Sequence, residues 1–220
     1  MAAESKQVAV IGLGRFGMAL CYELNQQGAE VLAIDINEDL VRKAADHVTQ
    51  AIVADCSIED TVSELKLDDY DIAMVAIGDN VNASILTTLI LKESGVKQVW
   101  VKAKDRYHAK ILHKIGADRV VMPETEMGQR IARIMLDTRI FHYLELGSGL
   151  AIAEVVVLTT MMGHPLSSHP CCQGQHTQLL ALKRGPELRP QPAKDTRMEI
   201  GDILIIAGPE SELSELFKRI

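Results

Sequence analysis

Near its amino end the chain runs from an unbroken apolar stretch, Val8 to Ile11, into Gly12, Gly14 and Gly17 at G-x-G-x-x-G spacing. A helical pattern follows from Arg15 to Gln27 and is closed by Gly28. Each glycine has a separate use in such a strand–turn–helix: Gly12 for a sharp turn, Gly14 for close approach of a phosphate to the main chain, Gly17 for tight helix–strand packing. Glycine-rich turns are common, so the triplet alone is a weak signal. Its setting strengthens it. The turn lies in the first β–α–β unit, and an acid, Asp35, ends the second apolar run at the distance a nucleotide-binding fold requires. The arrangement predicts a pyrophosphate held on main-chain N–H groups at a helix start.

The pattern continues to about Phe141. AEVLAID, TQAIVAD, DIAMVAIG, KQVWVKA and DRVVM read as further strands. NEDLVRKAAD, SIEDTVSELKL, NVNASILTTLILKES and RYHAKILHKI read as the helices between them. Continuous apolar runs of this length, without strict alternation, indicate strands buried on both faces of a parallel sheet. Right-handed crossovers then predict an α/β, Rossmann-like doubly wound sheet in the order 3-2-1-4-5-6.

After Pro123 the character changes. ETEMGQRIARIMLDTRIF predicts an amphipathic crossover helix on which Ile131, Ile134, Met135, Ile140 and Phe141 share a face, awaiting a partner. GLAIAEVVV, TQLLALKR and RMEIGDILIIAG then read as strands, and PESELSELFKRI as a terminal helix entered at Pro209. MMGHPLSSHPCCQGQH between them reads as loop. The expected division is 1–123 nucleotide-binding domain, 124–143 linker helix and 144–220 small α+β domain.

Several side chains at the candidate site have two readings. Asp35 is expected to accept from ribose hydroxyls and to repel a 2′-phosphate, which disfavours NADP, and no arginine follows in Ile36-Asn37-Glu38-Asp39 to reverse that. Ile36 and Asn37 complete this edge of the site, and Asn37 also suits a helix cap. Asp55 either meets an adenine amino group or only shapes its turn, and Ser57 suits a cap. Arg15 and Phe16 lie inside the glycine turn. An arginine in a helix's first turn opposes the helix dipole, so an anionic partner explains it better than solvent exposure alone. The charge favours a nucleoside triphosphate over a dinucleotide.

Nothing in the sequence supplies chemistry. His108 and His113 read as solvated helix residues, and no phosphate loop of the GxxxxGK type, nucleophile elbow or zinc-protease motif occurs. His164, His169, Cys171, Cys172 and His176 have zinc-ligand chemistry but match no defined zinc spacing, so they read as loop. The adjacent Cys171-Cys172 pair makes a poor structural bridge. A net charge of −7 argues against nonspecific nucleic-acid binding, and no apolar run is long enough for a membrane span. The amino-terminal residues do not read as a signal peptide. These features predict a reduced, cytoplasmic, nonenzymatic binding protein.

VIGLGRFG, AIDINED, VADCSIED, VAIGDN and VKAKDRYHAKILHKIGADRVVMPETEMG carry a resemblance to the regulatory subunits of Ktr/Trk potassium-uptake systems, closest to the Ktr type. IAEVVV, LLALKRG and IGDILIIAG extend it more loosely to the carboxyl end. The resemblance implies an RCK (TrkA-N) domain followed by a TrkA-C domain. It further implies dimers joined through the crossover helix, an octameric ring, and a membrane potassium-translocating partner at the inner face of the cell membrane. ATP and ADP exchange, with NAD(H) as a further ligand, is the implied switch. Arg15 is then the contact to terminal phosphates, and Glu124 an acid that supports Mg²⁺ or another cation beside them. The resemblance also implies Asp55 and Cys56 near adenine, Ile77, Gly78 and Asn80 at the ribose side, and Lys102 near phosphate. Ala54-Asp55-Cys56 departs from the family's usual Gly-Asp-Ala at this point. An NAD-dependent oxidoreductase and a redox-sensing transcription regulator are the alternatives from other classes.

Overall fold

The opening apolar run forms β1 (Gln7–Ile11), and its side chains divide by parity. Ala9 and Ile11 join one apolar layer, while Val8 and Val10 join another. A strand with both faces covered needs apolar residues at every position, which is why no alternation is visible in its sequence. The computed structural model describes residues 5–136, 140–172 and 176–219.

β1 is flanked by β2 (Glu30–Asp35) and β4 (Ile72–Val75), and β3 (Gln50–Val53), β5 (Val99–Lys102) and β6 (Arg119–Val121) complete a six-stranded sheet. Its order is β3-β2-β1-β4-β5-β6, with every pair parallel. The order expected from the sequence is the one found. The connecting helices are α1 (Arg15–Gln26), α2 (Glu38–Ala45), α3 (Glu59–Glu64), α4 (Val81–Glu93) and α5 (Arg106–Lys114). Side chains of α1 and α2 cover the layer of Val8, Val10, Val31, Ala33 and Met74. Those of α3, α4 and α5 cover Ala9, Ile11, Leu32, Ile34, Val75, Val99 and Val101. α3 is shorter than its pattern suggested. Lys66 adopts a left-handed conformation (φ 49°) and the chain continues as a 3₁₀ turn, Leu67–Asp69, which turns Leu67 fully into the core.

The chain divides into two compact units, one ending at Pro123 and the next beginning at Glu124. α6 (Pro123–Leu136) ends earlier than expected. Residues 137–139 lie outside the described residues, and Ile140 and Phe141 belong to a strand, β7 (Ile140–Gly147), rather than to the helix. The reason is local: Ile-Phe-His-Tyr-Leu is β-branched and aromatic, and Gly147-Ser148-Gly149, all at positive φ, returns it as a hairpin onto β8 (Leu150–Val156).

The second unit's sheet runs β10-β9-β11-β8-β7, with β9 (Gln178–Arg184), β10 (Glu187–Pro190) and β11 (Ile203–Pro209), all antiparallel. β10 was not expected, because three of its four residues are exposed and its sequence holds little apolar pattern. Pro209 ends β11 opposite Leu150 instead of opening α7 (Glu210–Arg219). The segment read as loop is largely packed: 3₁₀ turns at Thr159–Met161, Leu166–Ser168 and Pro170–Cys172 bury Leu166, His169 and Cys171 against Leu182, Leu204 and Leu213. Residues 173–175 of that segment lie outside the described residues.

Candidate nucleotide site

The carboxyl ends of β1, β2, β4 and β5 converge on the turn between β1 and α1, where the strand order reverses. The three glycines there differ in what the fold asks of them. Gly12 sits at φ +97°, and a Cβ on it would lie 3.0 Å from the main chain of both Ala76 and Ile77. A Cβ on Gly17 would fall 1.9 Å from the Gly12 carbonyl oxygen. Both positions therefore exclude any side chain for reasons internal to the fold. Gly14 does not: a Cβ there meets nothing within 4 Å, and its φ of −63° suits any residue.

The start of α1 is also unlike those of its neighbours. Asn37 caps α2 by accepting from the N–H groups of Asp39 and Leu40, Asn80 caps α4 by accepting from Ala83, and Asp105 caps α5 by accepting from Tyr107 and His108. α1 has no side-chain cap and no acid in its first turn. Its amino-terminal N–H groups are thus left without a side-chain acceptor, beside the exposed Arg15, whose guanidinium enters no ion pair among the described residues. The positive end of the helix dipole and a cation stand together there, with no negative group of the helix to offset them.

Asp35 closes the other side. One carboxylate oxygen accepts from the Leu13 N–H (2.6 Å) and the other from the Asn37 N–H (2.8 Å). The side chain that a sequence reading assigns to ribose also fastens the glycine turn to β2. A carboxylate has about four lone-pair positions, so two stay open for hydroxyl donors. Ile36 projects beside it at 72% exposure, and Val53 and Ile58 present further exposed apolar surface after β2 and β3. Val53 and Ile58 were not foreseen, because apolar residues at strand ends look like core in a sequence.

Of the remaining expected residues, Phe16, Gly78 and Lys102 come together. The Lys102 ammonium lies 5.8 Å from the centre of the Phe16 ring, and a Cβ on Gly78 would lie 3.4 Å from it. Ile77 abuts Gly12. Asn80 is at this end of the sheet but spends its side-chain oxygen on the α4 cap. Asp55 accepts from both the N–H and the hydroxyl of Ser57, so it shapes the turn, and Ser57 caps nothing: the residue before α3 is Ile58. The Cys56 side chain is a correction. It is 3% exposed within the core, and burial, aided by the Asp55 charge, pushes its thiol up to about 12. Only its main chain can face a ligand. Glu124 stands exposed in the first turn of α6, where the second unit begins. Among the described residues no three His, Cys, Asp or Glu side chains are grouped to hold a metal ion, so a cation at Glu124 would need ligands from a bound phosphate.

His108 is a second correction. It is buried, its Nδ1 accepts from the Lys104 N–H, and burial holds its pKa below the usual imidazole value. It packs on the inner face of α5 with Ala109 and Leu112, whereas His113 is exposed as expected.

The TrkA-N domain family matches residues 8–123. Over all 220 residues, and over the whole of the relative, the chain is 56% identical to Ktr system potassium uptake protein A of Vibrio alginolyticus. The chain belongs to the Ktr potassium-uptake family. Within this family it is also 40% identical to Ktr system potassium uptake protein C of Bacillus subtilis, over 98% of this chain and 97% of that one. Among solved structures, a GsuK channel bound to NAD superimposes with a TM-score of 0.57 at 20% identity, covering all of this Ktr-family chain and 39% of the channel chain. GsuK bound to ADP matches with a TM-score of 0.52 at 23% identity, over 62% of this chain and 35% of that one. The Ktr-family chain therefore spans less than half the length of these structures, which establish its fold. No helix among its described residues is long and apolar enough to cross a membrane.

Proposed function

We propose that the chain is a cytoplasmic, nonenzymatic regulatory subunit of a Ktr-type potassium-uptake system, switched by exchange of ATP and ADP at the β1–α1 turn. One observation carries the reading: α1 begins without cap or acid, beside an exposed Arg15 and a Gly14 that the fold itself does not need. A phosphate chain supplies what is missing on all three counts. It accepts from the uncapped N–H groups, pairs with the guanidinium, and requires the space that a side chain at Gly14 would fill.

In this reading Gly12, Gly14 and Gly17 form the phosphate turn and Asp35 takes the ribose hydroxyls with its two open positions. Ile36, Val53 and Ile58 flank the base, with Asp55 and the Cys56 main chain at its edge. Lys102, held over Phe16 in the space that Gly78 leaves, neutralises phosphate from the β5 side. Ile77 and Asn80 line the ribose side, Asn37 fixes the α2 start, and Glu124 reaches the phosphates through Mg²⁺ or another cation. NAD(H) is a further ligand of the same turn, and the fold shared with an NAD-bound and an ADP-bound channel supports both. Residues up to 123 are the RCK sensor and α6 the link, with its face of Met127, Ile131 and Met135 exposed for a second copy. The sheet from β7 onward is a TrkA-C unit. Four such dimers form a ring beneath the membrane potassium-translocating subunit.

ATP shifts the ring only if it binds one state better than another. A tenfold preference needs about 1.4 kcal/mol, which one charge-assisted contact from Arg15 supplies. Titration calorimetry on Arg15→Ala tests this: ATP affinity should fall toward that of ADP, with NADH binding nearly unchanged. Equal loss for all three ligands would refute the role. Co-purification with the membrane subunit, retained in ATP and altered in ADP, tests the partner.

A further inference from the structure

The four cysteines are not equivalent. Cys21, Cys56 and Cys171 are buried, and only Cys172 is reached by solvent. Cys171 and Cys172 share the 3₁₀ turn Pro170–Cys172, and their sulfurs stand 3.8 Å apart. The Cys171 sulfur also lies 2.9 Å from His169 Nδ1, and the same nitrogen accepts from the Cys171 N–H at 3.2 Å. Because Nδ1 accepts from a main-chain N–H, its lone pair points at Cys171, so the thiol donates its proton there. The sulfur lone pairs are left toward Cys172. His169 is itself 2% exposed, and burial pushes its pKa down to about 4, so it stays a neutral acceptor.

We propose that Cys171 and Cys172 are a reversible redox-modification site that closes to a vicinal disulfide under peroxide. Hydrogen peroxide meets the accessible Cys172 thiolate. Its sulfur takes one oxygen to become the sulfenic acid, the O–O bond breaks, and the expelled hydroxide is protonated to water. The Cys171 sulfur then attacks the Cys172 sulfur. The S–O bond breaks, and the thiol proton released from His169 joins the departing hydroxide as a second water. Two thiols and one peroxide thus give one disulfide and two waters. His169 acts as a positioning residue throughout.

Two features make the bond a labile one. Adjacent Cα atoms are about 3.8 Å apart, below the range of about 4.4–6.8 Å that unstrained disulfides span, so the bond is strained and readily reduced. The starting contact is also part of the core. Cys171 packs in the apolar cluster that includes Leu213 and Leu216 of α7, and its carbonyl accepts from the Thr177 hydroxyl. Turning its sulfur toward Cys172 withdraws it from His169 and from α7, and the second unit loosens until a thiol reductant reverses the change.

Mass spectrometry of the full chain after graded peroxide and alkylation is the test. Wild type should lose two hydrogens on the peptide carrying Cys171 and Cys172, and alkylatable thiols after denaturation should fall from the four in the sequence to two. Cys21 and Cys56 should remain alkylatable, and dithiothreitol should restore all four. Cys172→Ser should abolish the change. Cys171→Ser, and independently Cys171→Ala, should stop at a sulfenic acid on Cys172 that dimedone traps, a stage that needs no intact core at Cys171. His169→Asn should slow closure without preventing dimedone labelling. A disulfide between two chains through Cys172, a sulfinic acid as the only wild-type product, oxidation of Cys171 in Cys172→Ser, or no oxidation at all would each overturn the proposal.

Discussion

Replacing Gly14 with alanine separates binding from folding at the glycine turn. The new methyl group meets nothing within 4 Å, and φ −63° is ordinary for alanine. Two small effects oppose each other: alanine restricts the unfolded chain, stabilising by about 0.4–1 kcal/mol, and it is a poorer cap than glycine by a similar amount. The net change in stability is close to zero. The same methyl fills the approach to the uncapped N–H groups of α1. Losing one charge-assisted hydrogen bond to phosphate costs roughly 1.5–3 kcal/mol, or roughly ten- to hundredfold in affinity. ATP, ADP and NADH should all suffer, unlike the selective loss in Arg15→Ala. The control is Gly17→Ala, whose methyl would stand 1.9 Å from the Gly12 carbonyl oxygen and must force the turn and α1 apart. That variant should lose several kcal/mol, on the order of 3 or more, as overpacking does at rigid main chain. Calorimetric affinity and thermal melting are measured on both. Unchanged nucleotide affinity in Gly14→Ala, or a melting loss equal to that of Gly17→Ala, would refute the assignment of Gly14 to the ligand.

Arg184→Ala should destabilise the second unit by about 3 kcal/mol in urea titration, because the guanidinium bonds both oxygens of Asp202, a carboxylate only 1% exposed. Burial alone would raise the Asp202 pKa, but the Arg184 bonds and the Glu199 N–H outweigh it and hold it below the usual value. The stability from this depressed pKa is therefore present above the ordinary aspartate pKa and disappears as pH falls through the lower folded one. Acid melts should show that loss in wild type and not in Asp202→Asn. Asp35→Ala removes the acceptor of both the Leu13 and Asn37 N–H groups and should cost about 1–3 kcal/mol as well as nucleotide binding. Asp35→Asn should recover part of the stability, with equal losses for the two variants arguing against the main-chain tether. Gly78→Ala places a methyl 3.4 Å from the Lys102 ammonium, and should weaken phosphate-bearing ligands with little change in melting temperature.

How far the sequence could be read follows from the range of the forces involved. β1, β2 and β4 were legible because burial on both faces demands apolar residues at every position, a requirement written locally. Gly12 and Gly17 were legible for the same reason, since the backbone demand falls on one residue. Ile140 and Phe141 misled because a helical period continued past Leu136 for a few residues, and the competing hairpin depends on pairing with β8 further along the chain. Cys56 and His108 misled for another reason. Polar and sulfur side chains carry no mark of which way they point, and both are turned inward by packing. Asp35 shows the same limit in reverse: its acidity announced a ligand, while its two bonds to the main chain are visible only when β2 stands beside the turn.

The division of β1 into two interchangeable sets of apolar residues has a consequence for alignment along the sheet. Sliding the strand by one place would trade Val8 and Val10 for Ala9 and Ile11, oil for oil, with little penalty from water. Greasiness thus leaves this strand free to dock in more than one way. The bare backbone of Gly12 against Ala76 and Ile77 permits only one, and a chain carrying any bulk there would lose its means of choosing.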